Sequence, residues 1–237
     1  MSADLTTTGD VLLRAEYVAL SYTIFERIFK RRKHEVFHDV SFSLDRGETL
    51  AVVGRNGAGK STLLRLLAGI LSPTKGRVWR KPGITTSILA LGVGFNPYLT
   101  GRDNVIMSAL IMGRDREWAE AHLEAIKAFS ELGDAFEQSV RTYSAGMRSR
   151  LGFSTALFME VDVLLVDEVL AVGDGHFRKK ARDALVNKLT GEQTVVLVSH
   201  STSDARQLAT QAIWLEEGVV VARDEASPVL DAYERSL

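Results

Sequence analysis

Short apolar runs punctuate the first part of the chain: VLLRAEYVAL, then VSFSL, then ETLAVV, which passes through a glycine-rich turn into STLLRLLAGIL. The order strand, loop, helix predicts an α/β domain. Between Gly101 and about Phe158 the period changes. IMSALIMG, WAEAHLEAIKAFSEL and SAGMRSRLGFSTALF carry apolar residues three and four apart with almost no strand signal, which predicts a helical insert. VDVLLVDE then reads as a buried strand ending in acids, HFRKKARDALVNKL as a helix, and TVVLVSH as a strand ending in a polar residue, so the sheet resumes. AIWLEEGVVVARDE predicts a hairpin turning at Glu217 and Gly218. SPVLDAYERSL predicts a closing helix with Ser227 as N-cap and Pro228 in its first turn. No repeat, low-complexity segment or flexible linker interrupts residues 1–237, which read as a single domain.

Composition narrows the function classes. At 46% apolar residues over 237 positions the chain can fill a core, and 29 Lys plus Arg against 30 Asp plus Glu leave a net charge of -1. Such a balance gives no global field to recruit nucleic acid or an anionic membrane, so any contact of that kind must be local. The absence of cysteine excludes disulfides and thiolate metal sites. MSADLTTTGD lacks the basic end and apolar run of a signal peptide, and no run approaches the roughly 18 apolar residues of a membrane span, so a cytoplasmic location is expected.

The glycine-rich turn carries chemistry. Gly54, Arg55, Asn56, Gly57, Ala58, Gly59, Lys60 and Ser61 fit G-x-x-x-x-G-K-[ST] directly after a strand and at the opening of a helix. Glycines allow backbone N–H groups to turn inward around phosphates, and the helix N-terminus adds positive potential. Lys60 reaches the β- and γ-phosphates, and the Ser61 hydroxyl, followed by Thr62, is offered to Mg²⁺. A second constellation lies in VLLVDE. In a phosphate-loop sheet this strand is expected beside the loop's own strand, with Asp167 in the Mg²⁺ shell and Glu168 as general base for water. TVVLVSH delivers His200 to another strand end, where an imidazole can hydrogen-bond the γ-phosphate or position water. Taken singly, an acidic turn or a strand-end histidine is more often structural than catalytic. The combination gives these residues their weight.

The residues resemble an ATP-binding-cassette (ABC) ATPase subunit over nearly the whole chain. Tyr143, Ser144, Ala145, Gly146 and Met147 in RTYSAGMRSRLGF stand where the family has its signature, and small residues at a helix start let N–H groups and the Ser144 hydroxyl approach a γ-phosphate. Locally, a serine N-cap on an amphipathic helix explains them equally well. The order phosphate loop, signature, VLLVDE, AVGD with Asp174 as the D-loop acid, then His200 matches the family. The resemblance implies a P-loop NTPase of the ABC type. Its fold would be a mixed sheet core with an antiparallel β part from the first and last strands, and a helical subdomain at about 101–158. It also implies ATP and Mg²⁺ as cofactors and a homodimer in which Ser144, Ala145 and Gly146 of one copy close over ATP held by the other.

Within the family, GRNGAGKSTLLRLLAGIL, LTGRDN, VDEVLAVGD and VLDAYERSL are similar to exporters of capsule, O-antigen or teichoic acid. That implies an integral-membrane permease partner, a lipid-linked polysaccharide substrate, no nucleic acid, and a peripheral place on the cytoplasmic face of the bacterial inner membrane. The extra C-terminal sugar-binding domain of some O-antigen subunits is not expected here. A soluble ABC ATPase acting on DNA or ribosomes would bring coiled coils or two cassettes, and a regulatory module without turnover would not need both Glu168 and His200.

Three local features complete the reading. The resemblance implies an aromatic stacked on adenine from the loop after the first strand, for which Tyr22 is the candidate with Phe25 behind it, or else Tyr22 is a packed core tyrosine. The following segment is expanded by IFERIFKRRKHEVF, whose Arg27, Lys30, Arg31, Arg32 and Lys33 form a basic cluster. The resemblance implies a short helix there, near anionic headgroups or the diphosphate of a lipid-linked glycan. ALGVGFNPYLTG, residues 90–101, occupies the place of the family's Q-loop yet contains no glutamine. Asn96 comes too late to replace it as a Mg²⁺ ligand, and Gly92 and Gly94 read as hinges between the catalytic core and the helical insert.

Overall fold

The computed structural model describes residues 9–27, 30–89, 94–167, 175–189, 191–199 and 202–237, and gives only the backbone for 24–27 and 30–32. In chain order β1 (Val11–Arg27) and β2 (Lys30–Asp45) form a long antiparallel hairpin, and β3 (Thr49–Val53) runs into the phosphate loop and α1 (Lys60–Leu67). β4 (Lys75–Arg80) and β5 (Thr86–Ile88) follow. After a helical stretch come β6 (Val163–Asp167), β7 (Thr194–Val198), α6 (Thr202–Leu208), the hairpin of β8 (Gln211–Glu216) and β9 (Val219–Glu225), and α7 (Ala226–Glu234). The turn between β8 and β9 falls at Glu217 and Gly218, where the sequence pattern put it.

These strands make one mixed sheet in the order β4-β1-β2-β9-β8-β3-β7-β6-β5. β3 is buried at every position, and apolar after Thr49, because it is paired in parallel on both edges, to β8 and β7. The core lies between this sheet and α1, whose Leu63, Leu64, Leu66 and Leu67 are buried beside Phe37, Phe42, Leu165 and Val196. A second cluster seats α7 on Ala51 and Val53 through Val229, Leu230 and Tyr233. This mixed sheet with its antiparallel part is the expected fold class.

The acid-ending strand departs from expectation. β6 does not lie beside β3; β7 is interposed and pairs with both. Strand order in a parallel sheet is set by crossovers between segments more than a hundred residues apart, which no local pattern reports. The basic insertion is a second departure. The backbone pairs Tyr22 with His34, Ile24 with Arg32 and Arg27 with Lys30, so the segment continues as a β-hairpin rather than forming a short helix. β-favouring Tyr22, Thr23, Ile24 and Phe25 sit on one strand of it. A third concerns α7, which begins at Ala226 after Glu225. Ser227 therefore lies inside the first turn, and no side chain caps the helix. β4 and β5 carried no sequence signal.

The remaining residues form a separate helical unit, Leu89–Glu160 with Val169–Asn187. It contains α2 (Gly101–Ile111), α3 (Arg116–Ser130), α4 (Ala145–Phe158) and most of α5 (Gly175–Leu189). Thr100 and Asp103 form a reciprocal capping box at the start of α2, and Asp115 caps α3 through the Trp118 amide at 2.7 Å. Phe129, Phe153, Phe158 and Phe177 meet edge to face and stacked in its core.

Candidate nucleotide site

β3 ends at Val53 and the chain turns through Gly54 to Gly59, the turn being closed by the Ala58 amide donating to the Arg55 carbonyl at 3.1 Å. Gly59 precedes α1 in the left-handed region, at φ 96° and ψ 8°, and the helix takes its first bond from the Leu63 amide to the Gly59 carbonyl at 2.9 Å. No side chain caps α1 and no acidic residue stands in its first turn. That combination favours an anion. Lys60 is 5% exposed, and its ammonium donates to the carbonyls of Gly54 at 2.8 Å and Arg55 at 3.2 Å. A buried ammonium needs such partners, and these hold it at the turn. Ser61 and Thr62 are half-buried, and Asn56 is exposed. Arg55 turns to Glu216 and donates to the Ser236 carbonyl at 2.9 Å.

Sequence reasoning missed what stands behind Gly59. A Cβ there would meet Phe37 Cε1 at 2.8 Å and Val36 Cγ1 at 2.9 Å, so the root of the hairpin packs directly on the phosphate loop. Phe37 pairs with Leu20 across the hairpin, and two rungs further Tyr22 faces His34. Tyr22 is 39% exposed, which removes the packed-core reading of that side chain.

The pairing register places Val52, Val198 and Asp167 level across the carboxyl ends of β3, β7 and β6. Asp167 is half-buried and stands two strand spacings from the loop's strand, about 10 Å away. Glu168, His200 and Asp174 lie outside the described residues.

In the helical unit, Ser144 is the N-cap of α4, its hydroxyl accepting from the Met147 amide at 3.1 Å. Ala145 is exposed and Gly146 half-buried, with only the Ser144 hydroxyl oxygen, at 3.8 Å, near an added Cβ. Tyr143 anchors this start: it is buried, its hydroxyl donates to the Ala135 carbonyl at 2.6 Å, and burial pushes that hydroxyl above its ordinary pKa. Gly94 is exposed at φ 73°, and a Cβ there would collide with the Ile111 side chain; Gly92 lies outside the described residues. The Asn96 side chain accepts from the Tyr98 amide at 3.0 Å, which commits it to its own turn. That turn is held by the fully buried Asn104, which donates to the carbonyls of Asn96, Leu99 and Thr100. Asn104 was also unforeseen.

A phosphate loop on the central parallel strand, a level carboxylate two strands away and an antiparallel wing define an ATP-binding cassette. The ABC transporter family model matches residues 37–171, and the chain belongs to that family. It is 40% identical over 211 residues to the O-antigen export system ATP-binding protein RfbB of Klebsiella pneumoniae, covering 89% of this chain and 85% of that protein. It is 35% identical over 239 residues to the teichoic acids export ATP-binding protein TagH of Staphylococcus saprophyticus subsp. saprophyticus, covering 96% and 90%. The dimeric ATP-binding cassette MJ0796, in a post-hydrolysis state bound to ADP and Pi, has the same fold. It overlays with a TM-score of 0.72 at 22% identity, over 91% of this chain and 99% of that one. Among the described residues no helix is long and apolar enough to cross a membrane.

Proposed function

We propose that this chain is the ATP-hydrolysing subunit of an exporter of lipid-linked cell-surface polysaccharide. It works as a homodimer on an integral-membrane permease at the cytoplasmic face of the inner membrane. The observation that carries the reading is the 40% identity, across 89% of the chain, to an O-antigen export ATP-binding protein; the uncapped start of α1 after a left-handed Gly59 supports it.

The residues fit ATP and Mg²⁺: an uncapped helix start with Ser61 in its first turn, a buried ammonium at the loop carbonyls, and a carboxylate level with the end of the loop's strand. Gly54 to Thr62 would hold the phosphates, Lys60 the β- and γ-phosphoryl oxygens, Ser61 and Asp167 the metal, and Tyr22 the adenine. Mg²⁺, when bound, neutralises charge on the transferred phosphoryl group. Glu168 would take the proton of the attacking water and His200 would hydrogen-bond the γ-phosphate. Ser144, Ala145 and Gly146 of the second copy would close over the γ-phosphate, and Asp174 would lie at the dimer contact. The helical unit would dock on the permease.

Glu168→Gln tests this reading. The variant keeps Mg-ATP affinity, loses turnover by about 10²-fold or more, and abolishes surface glycan in a strain that depends on it. Near-normal hydrolysis would remove Glu168 from the role, and intact glycan export would remove the coupling.

A further inference from the structure

The carbonyl end of α1 has an unexpected partner. The Leu64 carbonyl accepts from the Ala68 amide at 2.8 Å, and the Arg65 carbonyl from the amides of Ile70 and Leu71 at 2.9 and 3.2 Å, around a left-handed Gly69. The Leu66 carbonyl already accepts from the Gly69 amide at 3.0 Å, and both it and the Leu67 carbonyl are reached by Arg80 at the end of β4. Its Nη2 donates to Leu66 at 2.8 Å and to Leu67 at 2.9 Å, and its Nε to Leu67 at 3.0 Å. The strand that carries Arg80 is itself held: Arg80 is in register with Leu13 of β1, and the next amide, of Lys81, donates to the Leu12 carbonyl at 2.9 Å.

We propose that Arg80 is a positioning residue for the nucleotide phosphates. By clamping the carbonyl end of α1 to the antiparallel sheet, it fixes where the opposite end of that helix presents Lys60, Ser61 and Thr62. α1 has eight residues, fewer than an isolated helix needs to persist in water. Its buried leucines hold it against the core, but apolar burial is non-directional and leaves sliding and twisting along the axis weakly determined. Three directional hydrogen bonds from a planar guanidinium supply that constraint. The charge also complements the negative pole of the helix whose positive pole faces the phosphates. Partial burial lowers the Arg80 pKa, yet an arginine remains charged at any physiological pH.

The inference rests on the reading of Gly54 to Thr62 as the nucleotide site. Its test uses the full chain with the fluorescent analogue mant-ATP and Mg²⁺, titrated well below the melting temperature of each protein. Arg80→Ala weakens binding about three- to tenfold, the range expected when a helix end loses its cation. Arg80→Lys, which keeps the charge but not the fork, recovers part of the loss, and kcat at saturating ATP stays within about twofold while KM rises. Amide exchange at residues 57–63 is faster in Arg80→Lys than in wild type, a readout that stands even where Arg80→Ala does not fold. Wild-type affinity and wild-type exchange in these variants, with only a lower melting temperature, would make Arg80 a structural staple and overturn the proposal. A wild-type chain that does not bind mant-ATP would instead overturn the site itself.

Discussion

Replacing Gly59 by alanine tests how tightly the phosphate loop is held by its surroundings. Two costs add. A non-glycine residue at φ 96° sits in the left-handed region, a penalty of about 1–2 kcal/mol. The new methyl would also lie 2.8 Å from Phe37 Cε1 and 2.9 Å from Val36 Cγ1, and Phe37 is fully buried, so its ring has nowhere to retreat. Forcing a methyl into a packed site costs about 1–3 kcal/mol. Together these give about 2–5 kcal/mol, which for a chain of this size lowers the melting temperature by about 4–20 °C. If the loop yields rather than the hairpin, the amides proposed to hold the phosphates turn away, and Mg-ATP affinity falls more than about tenfold at temperatures where the protein remains folded. Differential scanning calorimetry and nucleotide titration read the two effects. A variant that melts within about 2 °C of wild type and binds ATP within twofold would show that neither strain nor contact exists at Gly59.

Two further outcomes are expected. The Asp162 carboxylate accepts from the Thr85 amide at 2.8 Å and its hydroxyl at 2.9 Å, with Arg46 nearby, and these hold it below its ordinary pKa of 3.8. Because the folded value is the lower one, its stabilisation is complete above the ordinary value and is lost as pH falls through the folded value. Urea unfolding should therefore show Asp162→Asn weaker than wild type at pH 7, with the gap closing below about pH 4; a gap independent of pH would refute it. Neutralising Arg27, Lys30, Arg31, Arg32 and Lys33 together should weaken binding to vesicles rich in phosphatidylglycerol, since each such cation is worth about 1 kcal/mol at an anionic surface, and should reduce glycan export. Unchanged vesicle binding and export would leave this hairpin segment as a solvated face.

The sequence signals that proved readable were local ones. The apolar run LAVV followed by GRNGAGKS announces a buried strand and a phosphate loop, because burial on both faces and a left-handed helix entry each demand particular residues. What escaped was non-local or lay on an edge. KGRVWR pairs on one side only and is largely exposed, so β4 shows no apolar run, although it delivers Arg80 to α1. The contact of Phe37 and Val36 with Gly59 joins segments more than twenty residues apart through tertiary packing. The interposition of β7 between β3 and β6 depends on the path of the whole sheet. The basic segment misled because its short helix was carried over from the resemblance, while register with the preceding strand decides for a hairpin.

The place of β3 has a consequence for how the protein is made. Its two neighbours, β7 and β8, are both synthesised later, and Val198 follows Val53 by about 145 residues, roughly 7–30 s of ribosomal elongation. Throughout that interval the nascent chain displays TLAVV with neither edge paired, a short, uncharged, β-favouring segment of the kind that associates with its like. Aggregation of ribosome-bound intermediates, and dependence on chaperones that shield such segments, should therefore be greatest while residues 54–193 emerge and should subside once β7 is released. Proteolytic fragments that stop short of β7 should recover no nucleotide binding, however complete their phosphate loop.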